Sequence, residues 1–469
     1  MNRIIASVGL VALGATSVQA QSSMSTPPAK WWNVSATVRG FYDDNINAAP
    51  NPTSKDRVWG YELNPGVGVT LGNDQTTFTA DYKYAFLYYD NRPIGQSHKY
   101  DQDHTFNAAL THVFNERYSI RLHDSFVIGQ EPDALRYDAA FHTPFRVSGY
   151  NKVNYGGFAF EAQVTPELGV EIGYDNAWFD YQDKFNGSTF KDPTIDTTTT
   201  PASLVPVQGS KNIDAFGGVH ASLSGALDRI EQMPHISALW HVQPETTASF
   251  SYQFQQVNYT GGEAIAGSVI AFDPTVPSIT DIPLSDLPHS KDRDVRGHTL
   301  YVGLDHQFRP DFYGSVQAGA TYYDYYNLDR HSFGPYARLS LTYVYAEESS
   351  VTGGFQEGRA ASDIIGGPDK RDLVTDAEDS VLFANVRQRI IPNLFLNVNG
   401  NAQSSRFNGG GSDFDNQTEQ FYEFGANLEY IFNANLSAHV GYDFTRLDSD
   451  IPNRSYTRNK VYIGATASY

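Results

Sequence analysis

The chain has 469 residues, of which 40% are hydrophobic and 14% aromatic, with 30 Tyr, 29 Phe, no Cys and a formal net charge of −20. The lack of cysteine excludes a disulfide framework and a lipid-anchored cysteine. The acidic balance argues against nucleic acid and anionic polymers as partners, and no stretch approaches the roughly 20 apolar residues that a spanning helix needs.

The first twenty residues have the form of a secretion signal. Asn2 and Arg3 form a short positive start, Ile4 to Ala15 is a brief apolar run, and Ser17 to Ala20 reads as a small-x-small cleavage site before Gln21. Residues 21–31 are then expected as a periplasmic lead-in, and any membrane insertion of 32–469 must use strands. A mean hydropathy of −0.42 with so many aromatics suits strands whose lipid-facing and wet residues alternate, although a secreted soluble β-protein shares it.

One unit recurs along the chain: an alternating strand, a tight polar turn, and a second alternating strand. A free strand over Trp32 to Asp43 comes first, followed by turns at Gly72, Asn73 and Asp74, at Asn115 to Arg117 and at Pro166 and Glu167. Further turns come at Gln243 to Glu245, Arg309 to Asp311, Ala346 to Glu348, Pro392 and Asn393, and Asn433 to Asn435. Period-two alternation sends one set of side chains to each face. In Phe395 to Gln403, Leu396, Val398, Gly400 and Ala402 alternate with Asn397, Asn399, Asn401 and Gln403. Eight turns with a free strand at each end predict about 18 strands of about 10 to 14 residues, the length of tilted membrane strands. His112, Trp240, His306, Tyr343 and Tyr430 occupy one repeat position, as an interfacial ring on the lipid face requires.

The connections alternate between short turns and long loops, the pattern of short periplasmic turns and long external loops. The longest loops, Gln182 to Leu227 and Gly261 to Val295, are dense in Pro and Gly, which disfavours long regular elements. They are expected either to form a surface flap or cap, the favoured reading, or to fold inward and narrow a pore. Gln130 to Gly149, with Arg136, Asp138, His142 and Arg146, is a third candidate constriction. The last strand, Arg454 to Tyr469, places Val461, Ile463, Ala465, Ala467 and Tyr469 on one parity. This is similar to the aromatic-terminated closing strand that the outer-membrane assembly machinery recognises.

Strand parity nominates a lumen set: Asp81, Lys83, Arg121, His123, Glu171, Asp175, Asp305, Arg338, Arg387, Arg389, Glu423, Glu429 and Asp443. Charges of both signs create a transverse field that favours polar solutes over apolar ones; pairing across a filled lumen is the competing reading. No catalytic residue, cofactor site or metal site is expected. His123 and Asp124 point to opposite faces of one strand, and no metalloprotease, nucleophile-elbow or phosphate-loop motif occurs. Gly409 to Asp415 and Asp448 to Asp450 lack a calcium-loop pattern and read as solvated turns.

The signal, the repeated hairpins and the aromatic terminus make the mature chain resemble the putative β-barrel porin 2 family. The resemblance is carried by W-N-V-S-A-T-V-R-G-F-Y-D-D-N over Trp32 to Asn45, the hairpins around Asn115 and Arg309, and the final strand. It implies an all-β antiparallel transmembrane barrel in a Gram-negative outer membrane, with lipids and the assembly machinery as partners. The leading expectation is passive diffusion of small hydrophilic solutes. Two alternatives are a conduit for exopolysaccharide export, which the acidic balance disfavours, and a structural or surface-interaction barrel.

Overall fold

The computed structural model describes residues 30–51, 55, 57–91, 99–129, 151–181, 190–196, 203–210, 219, 221–267, 270–273, 278–281, 286–367 and 369–469. The expected signal over 1–20 and the loop Gln130 to Gly149 lie outside them. The strands are β1 (Trp32–Asp43), β2 (Val58–Gly72), β3 (Thr76–Tyr89), β4 (Tyr100–Asn115), β5 (Tyr118–Gly129), β6 (Asn151–Gln163), β7 (Leu168–Asp180), β8 (Phe190–Asp196), β9 (Ser203–Ser210), β10 (Arg229–Gln243) and β11 (Thr246–Tyr259). They continue as β12 (Ile270–Asp273), β13 (Ser278–Asp281), β14 (Val295–Arg309), β15 (Phe312–Tyr325), β16 (Arg330–Ala346), β17 (Ser349–Ala360), β18 (Val374–Ile391), β19 (Leu394–Gly409), β20 (Thr418–Asn433), β21 (Leu436–Ser449) and β22 (Tyr456–Ser468). Two short helices, α1 (Leu223–Leu227) and α2 (Gly411–Phe414), lie in connections.

Eighteen strands form one antiparallel sheet, each paired with its neighbour in chain order once the β8–β9 and β12–β13 hairpins are set aside. The sheet closes where β1 pairs with β22, from Ser35 opposite Ser468 to Asp43 opposite Lys460. Tyr469 and Val34 extend the seam by exchanging backbone hydrogen bonds of 2.8 and 3.1 Å. Closure leaves no unpaired edge, which a sheet surrounded by hydrocarbon cannot tolerate. The strand count, the eight turns and the β1 bounds agree with the sequence reading.

Local chemistry explains the short turns. Asn73 Oδ1 accepts from the amides of Gln75 and Thr76 at 2.9 and 2.8 Å, and Asn115 Oδ1 from those of Arg117 and Tyr118 at 2.8 and 3.1 Å. Such side-chain bonds mimic a backbone turn and hold the chain in reversal. The strand entering several of these turns carries a register shift, as at Val113/Asn115, Gln307/Arg309 and Ile431/Asn433. A bulge of this kind sharpens the local twist.

One parity of each strand forms an outward apolar belt, illustrated by Val38, Leu382 and Ile463, which are 56%, 61% and 67% exposed. At the short-turn end, His112 stacks edge-on against Phe114 at 4.5 Å, His306 against Phe308 at 4.6 Å and Tyr430 against Phe432 at 5.0 Å. The two imidazoles are fixed by Thr76 and Thr246, whose hydroxyls lie 2.8 Å from Nδ1. The amphipathic ring read from the repeat is therefore built as a recurring unit.

Two expectations need correction. The barrel strands run from 12 residues in β1 to 18 in β18: ten lie within the expected 10 to 14 and eight are longer. They project past the belt on the long-loop side, where the outward register turns polar: Arg406 meets Glu378 at 3.1 Å and Arg446 meets Asp448 at 2.7 Å. The long loops also contain more order than their Pro and Gly content suggests, since β8 pairs with β9 and β12 with β13. These hairpins are short enough to place their prolines at ends and bulges.

Candidate functional site: the inner wall and the inward-folded loops

All thirteen nominated residues occupy the register opposite the outward belt. Asp81 and Lys83 alternate with outward Ala80, Tyr82 and Tyr84 on β3, and Arg121 and His123 with Ile120 and Leu122 on β5. Glu171 and Asp175 lie on β7, Asp305 on β14, Arg338 on β16, Arg387 and Arg389 on β18, Glu423 and Glu429 on β20, and Asp443 on β21.

The structure brings four of them together. Arg121 forms an ion pair with Glu171 and approaches Glu161 Oε2 at 3.5 Å. His123 Nε2 lies 3.5 Å from Asp175 Oδ1. His235 on β10 stands between the two carboxylates, with Nε2 3.6 Å from Glu171 Oε1 and Nδ1 3.6 Å from Asp175 Oδ2. The result is a wall-mounted ladder of alternating acid and base across β5, β6, β7 and β10. Sequence parity found Arg121, His123, Glu171 and Asp175 but missed Glu161 and His235. His235 sits in Met233, Pro234, His235, a stretch whose proline interrupts the alternating pattern.

Two glycines make the ladder possible. A Cβ on Gly173 would lie 2.2 Å from the His235 ring, and one on Gly157 would lie 2.3 Å from Asp175 and 2.7 Å from the His123 ring. Without side chains, both positions let the rings and carboxylates lie against the sheet instead of across the lumen.

The other nominated residues are dispersed. Asn107 Nδ2 donates to Asp81 Oδ2 at 3.0 Å, and the Arg387 guanidinium sits 4.6 Å from the Phe395 ring. Arg389 reaches Glu347 and Glu348 in the neighbouring short turn at 3.2 and 3.0 Å, so it belongs to the rim of that end. Lys83, Asp305 and Glu429 make no ion pair among the described residues. At the β1–β22 seam Arg458 donates to Asp43 Oδ2 at 2.6 Å, and on the other side of β1 Arg39 pairs with Glu62 of β2 at 3.5 Å; neither pair was nominated.

The long-loop mouth is the other half of the site. There the inward residues become apolar and are covered by connections. Ala226 and Leu227 of α1 pack on Val127, Val153, Ala177 and Phe179. Leu328 and Ala361 pack on Val257, Tyr259, Val295, Tyr323 and Tyr325. Ile365, from the β17–β18 connection, touches the cluster of β5, β6 and β7, although β10, β11, β14, β15 and β16 stand between β7 and β17. The connection therefore extends across the opening. Parts of the β7–β10, β11–β14 and β17–β18 connections meet around a recess of about 410 Å³ lined by Val219, Ala221, Ile265, Ala266, Ile365 and Gly366.

Arg293, fully buried, holds this assembly together. Nη1 donates to the Ala226 carbonyl at 3.0 Å, Nη2 donates to the Ser362 carbonyl at 2.5 Å, and the guanidinium faces the Tyr259 ring at 4.7 Å. Lys370 reaches Asp292 at 3.3 Å, and Arg454 joins Asp363, at 3.2 Å, to Glu419. The described parts of the two longest loops are thus tied inward over the mouth, the place of a cap and not of a surface flap. Their lining explains this, because the inward apolar ends of the strands need a cover. The β17–β18 connection was missed as a constriction altogether. The carboxylates weighed for calcium serve turns instead: Asp415 Oδ1 accepts from the Gly409 amide at 2.9 Å, and Asp450 Oδ2 from the Thr418 amide at 3.0 Å.

Residues 379–469 match the family described as Putative beta-barrel porin 2. No curated protein sequence matches the chain. Solved structures similar to it include the outer membrane protein opdK from Pseudomonas aeruginosa, with 12% identity, a TM-score of 0.39 and coverage of 93% of this chain and 99% of that one. OccAB4 of Acinetobacter baumannii matches with 11% identity, a TM-score of 0.39 and coverage of 94% and 99%. A BenF-like porin from Pseudomonas fluorescens Pf-5 matches with 9% identity, a TM-score of 0.40 and coverage of 93% and 99%. The chain is a closed antiparallel β-barrel of 18 strands, and its residues 379–469 match the family described as Putative beta-barrel porin 2.

Proposed function

We propose that this chain is an outer-membrane channel for passive diffusion of small hydrophilic solutes, narrowed at its long-loop mouth by three inward-folded connections. The observation that carries the reading is the opposition of the two registers within one closed sheet: an apolar belt outside and a wall of charges and amides inside. Fixed charges of both signs along a wet wall replace part of a polar solute's hydration and leave an apolar solute nothing in return. The acid–base ladder on β5, β6, β7 and β10 would then act as a station on that wall. Convergence of the connections across the mouth favours small solutes over a threaded polysaccharide. Reconstitution in planar bilayers tests the proposal. Conductance steps proportional to protein dose are expected, and a silent bilayer or leak unrelated to dose would sink it.

A further inference from the structure

At the long-loop end of β1, β2 and β3 the outward residues form an aromatic girdle. Tyr42 and Trp59 lie 4.8 Å apart, and Tyr61 and Tyr88 4.9 Å apart, between ring centroids. Rings of this kind suit the border between hydrocarbon and headgroups. On β19, β20 and β21 that border is built differently. No outward ring on these strands stands beyond Tyr422 and Phe444, and Arg406, Gln420, Arg446 and Asp448 take its place. Arg446 and Asp448 form an ion pair of 2.7 Å, with side chains 52% and 44% exposed. The neighbouring carboxylates are engaged elsewhere. Glu378 is tucked between Arg359 and Arg406, and Asp450 accepts from the Thr418 amide and hydroxyl at 3.0 and 2.7 Å.

Directly below this polar border the outward surface is hollow. Ala384 stands opposite Gly400, and Gly400 opposite Phe424, so short side chains on β18 and β19 meet a ring on β20. A Cβ on Gly400 would meet only the Glu423 carbonyl oxygen, at 3.8 Å. Leu382, Phe424 and Phe444 rise around this floor and bound a recess of about 660 Å³. Arg446 and Asp448 form its charged end, since Ala402 stands opposite Tyr422 and Tyr422 opposite Arg446. The recess therefore runs from apolar to charged, in the order of a lipid's own chain and head. These side chains belong to the outward register, which a solute in the lumen does not reach.

We propose that the recess holds one phosphorylated, acylated sugar lipid of the outer leaflet. The assignment rests on the reading of the chain as an outer-membrane channel with its long loops outside, because that orientation puts the recess among outer-leaflet lipids. An acyl chain lies on the floor at Gly400, between Leu382 and Phe424. The Arg446 guanidinium takes a phosphate, whose oxygens match its planar fork. Its bond to Asp448 is half exposed and stabilises little, so exchanging it for a phosphate costs little. Asp448, released from Arg446, accepts from hydroxyl groups of the sugar. A head with both phosphate and hydroxyl groups therefore uses both residues, whereas a phosphate without donors beside it would leave Asp448 unpaired.

Native mass spectrometry of the full chain in mild detergent, titrated with purified lipid A and separately with phosphatidylethanolamine, tests the site. The wild type is expected to bind one lipid A and to prefer it to phosphatidylethanolamine. Arg446→Gln should bind lipid A about tenfold more weakly, the loss of one charge-assisted hydrogen bond. Gly400→Leu, which fills the floor, should also weaken binding, whereas Ala318→Leu, outward on β15, should leave it unchanged. All three variants should keep the heat-dependent gel mobility of an intact barrel and the wild-type conductance, since they face away from the lumen. A wild type that binds no lipid A, equal binding of phosphatidylethanolamine, or unchanged binding in Arg446→Gln would each overturn the proposal. If Gly400→Leu fails to fold, Arg446→Gln decides the matter. Lipid A bound selectively through Arg446 by a chain silent in bilayers would support this site while sinking the channel.

Discussion

Arg293 donates from Nη2 to the Ser362 carbonyl at 2.5 Å, joining the β11–β14 connection to the β17–β18 connection over the barrel mouth. Its Nη1 bond to Ala226 adds the β7–β10 connection. Hydrogen bonds from a charged donor are each worth about 1.5–3 kcal/mol. Arg293→Ala should therefore loosen all three connections together without unfolding the barrel. The expected outcome in planar bilayers is a larger and noisier open-channel current, with faster tryptic cleavage after Lys370 or Arg371. Arg293→Lys should fall between the two, because a single ammonium cannot reproduce the planar fork. Unchanged current and cleavage in Arg293→Ala would show that Arg293 does not hold the mouth.

Glu171 neutralises Arg121 and faces His235 on the inner wall. Glu171→Gln removes one negative charge from the ladder, so the reversal potential in a salt gradient should shift toward anion preference. These side chains are partly solvated, and the loss of folding stability should be no more than about 1 kcal/mol. A reversal potential identical to wild type would mean that the ladder does not border the conducting path.

Gly173 is the ladder's steric condition. Gly173→Ala places a methyl group 2.2 Å from the His235 ring, which must move. Overpacking of this kind costs about 1–3 kcal/mol. The expected reading is a lower urea midpoint in lipid vesicles, together with a change in the reversal potential. Gly353→Ala, whose added Cβ would meet only the Phe383 carbonyl oxygen at 3.6 Å, is the matched control and should change neither.

The two registers predict opposite tolerance to charge. Val440→Arg places a cation on the outward belt of β21, two residues from the ring level at which Tyr430 stands opposite Ala438, and should cost about 1–2 kcal/mol, between the interfacial and midplane values. Thr445→Arg, on the inward register of the same strand, should cost much less and alter ion selectivity instead. Urea unfolding in vesicles measures the first and reversal potential the second. Equal destabilisation by both would contradict the assignment of faces.

Burial raises the carboxyl of Asp294, just before β14, above its ordinary value, although the Tyr259 amide (2.7 Å) and the Tyr326 hydroxyl pull it down. A raised folded-state value means that the folded mouth holds the proton more tightly than the unfolded chain does. The associated stability is fully present below the ordinary aspartate value and is lost as pH rises through the raised one. Hydrogen exchange at the Tyr259 amide, corrected for its intrinsic rate, should show protection falling across that window. Asp294→Asn should flatten the dependence.

Much of the architecture is readable from local patterns because its causes are local. The turns at Asn73 and Asn115 are made by the asparagine side chain itself, and parity alone separates Leu396 and Val398 from Asn397 and Asn399. The inward residues of the ladder follow from the same parity. Their grouping does not, because Arg121, Glu171 and His235 meet through strand register and through the space at Gly157 and Gly173. The β17–β18 connection was illegible for a related reason. Residues 361–373 read as a polar, glycine-rich loop, and their inward course depends on Ile364 and Ile365 finding apolar strand ends contributed by distant segments. Two adjacent isoleucines in such a loop are the signal in the sequence for that inward course.

Single-channel recording of the full chain in planar bilayers, wild type beside Arg293→Ala, tests the central claim most directly. The account predicts dose-dependent conductance steps from wild type and a larger, noisier step from the variant. Absence of dose-dependent conductance from both proteins, with the barrel shown to be folded by its heat-dependent mobility, would contradict it.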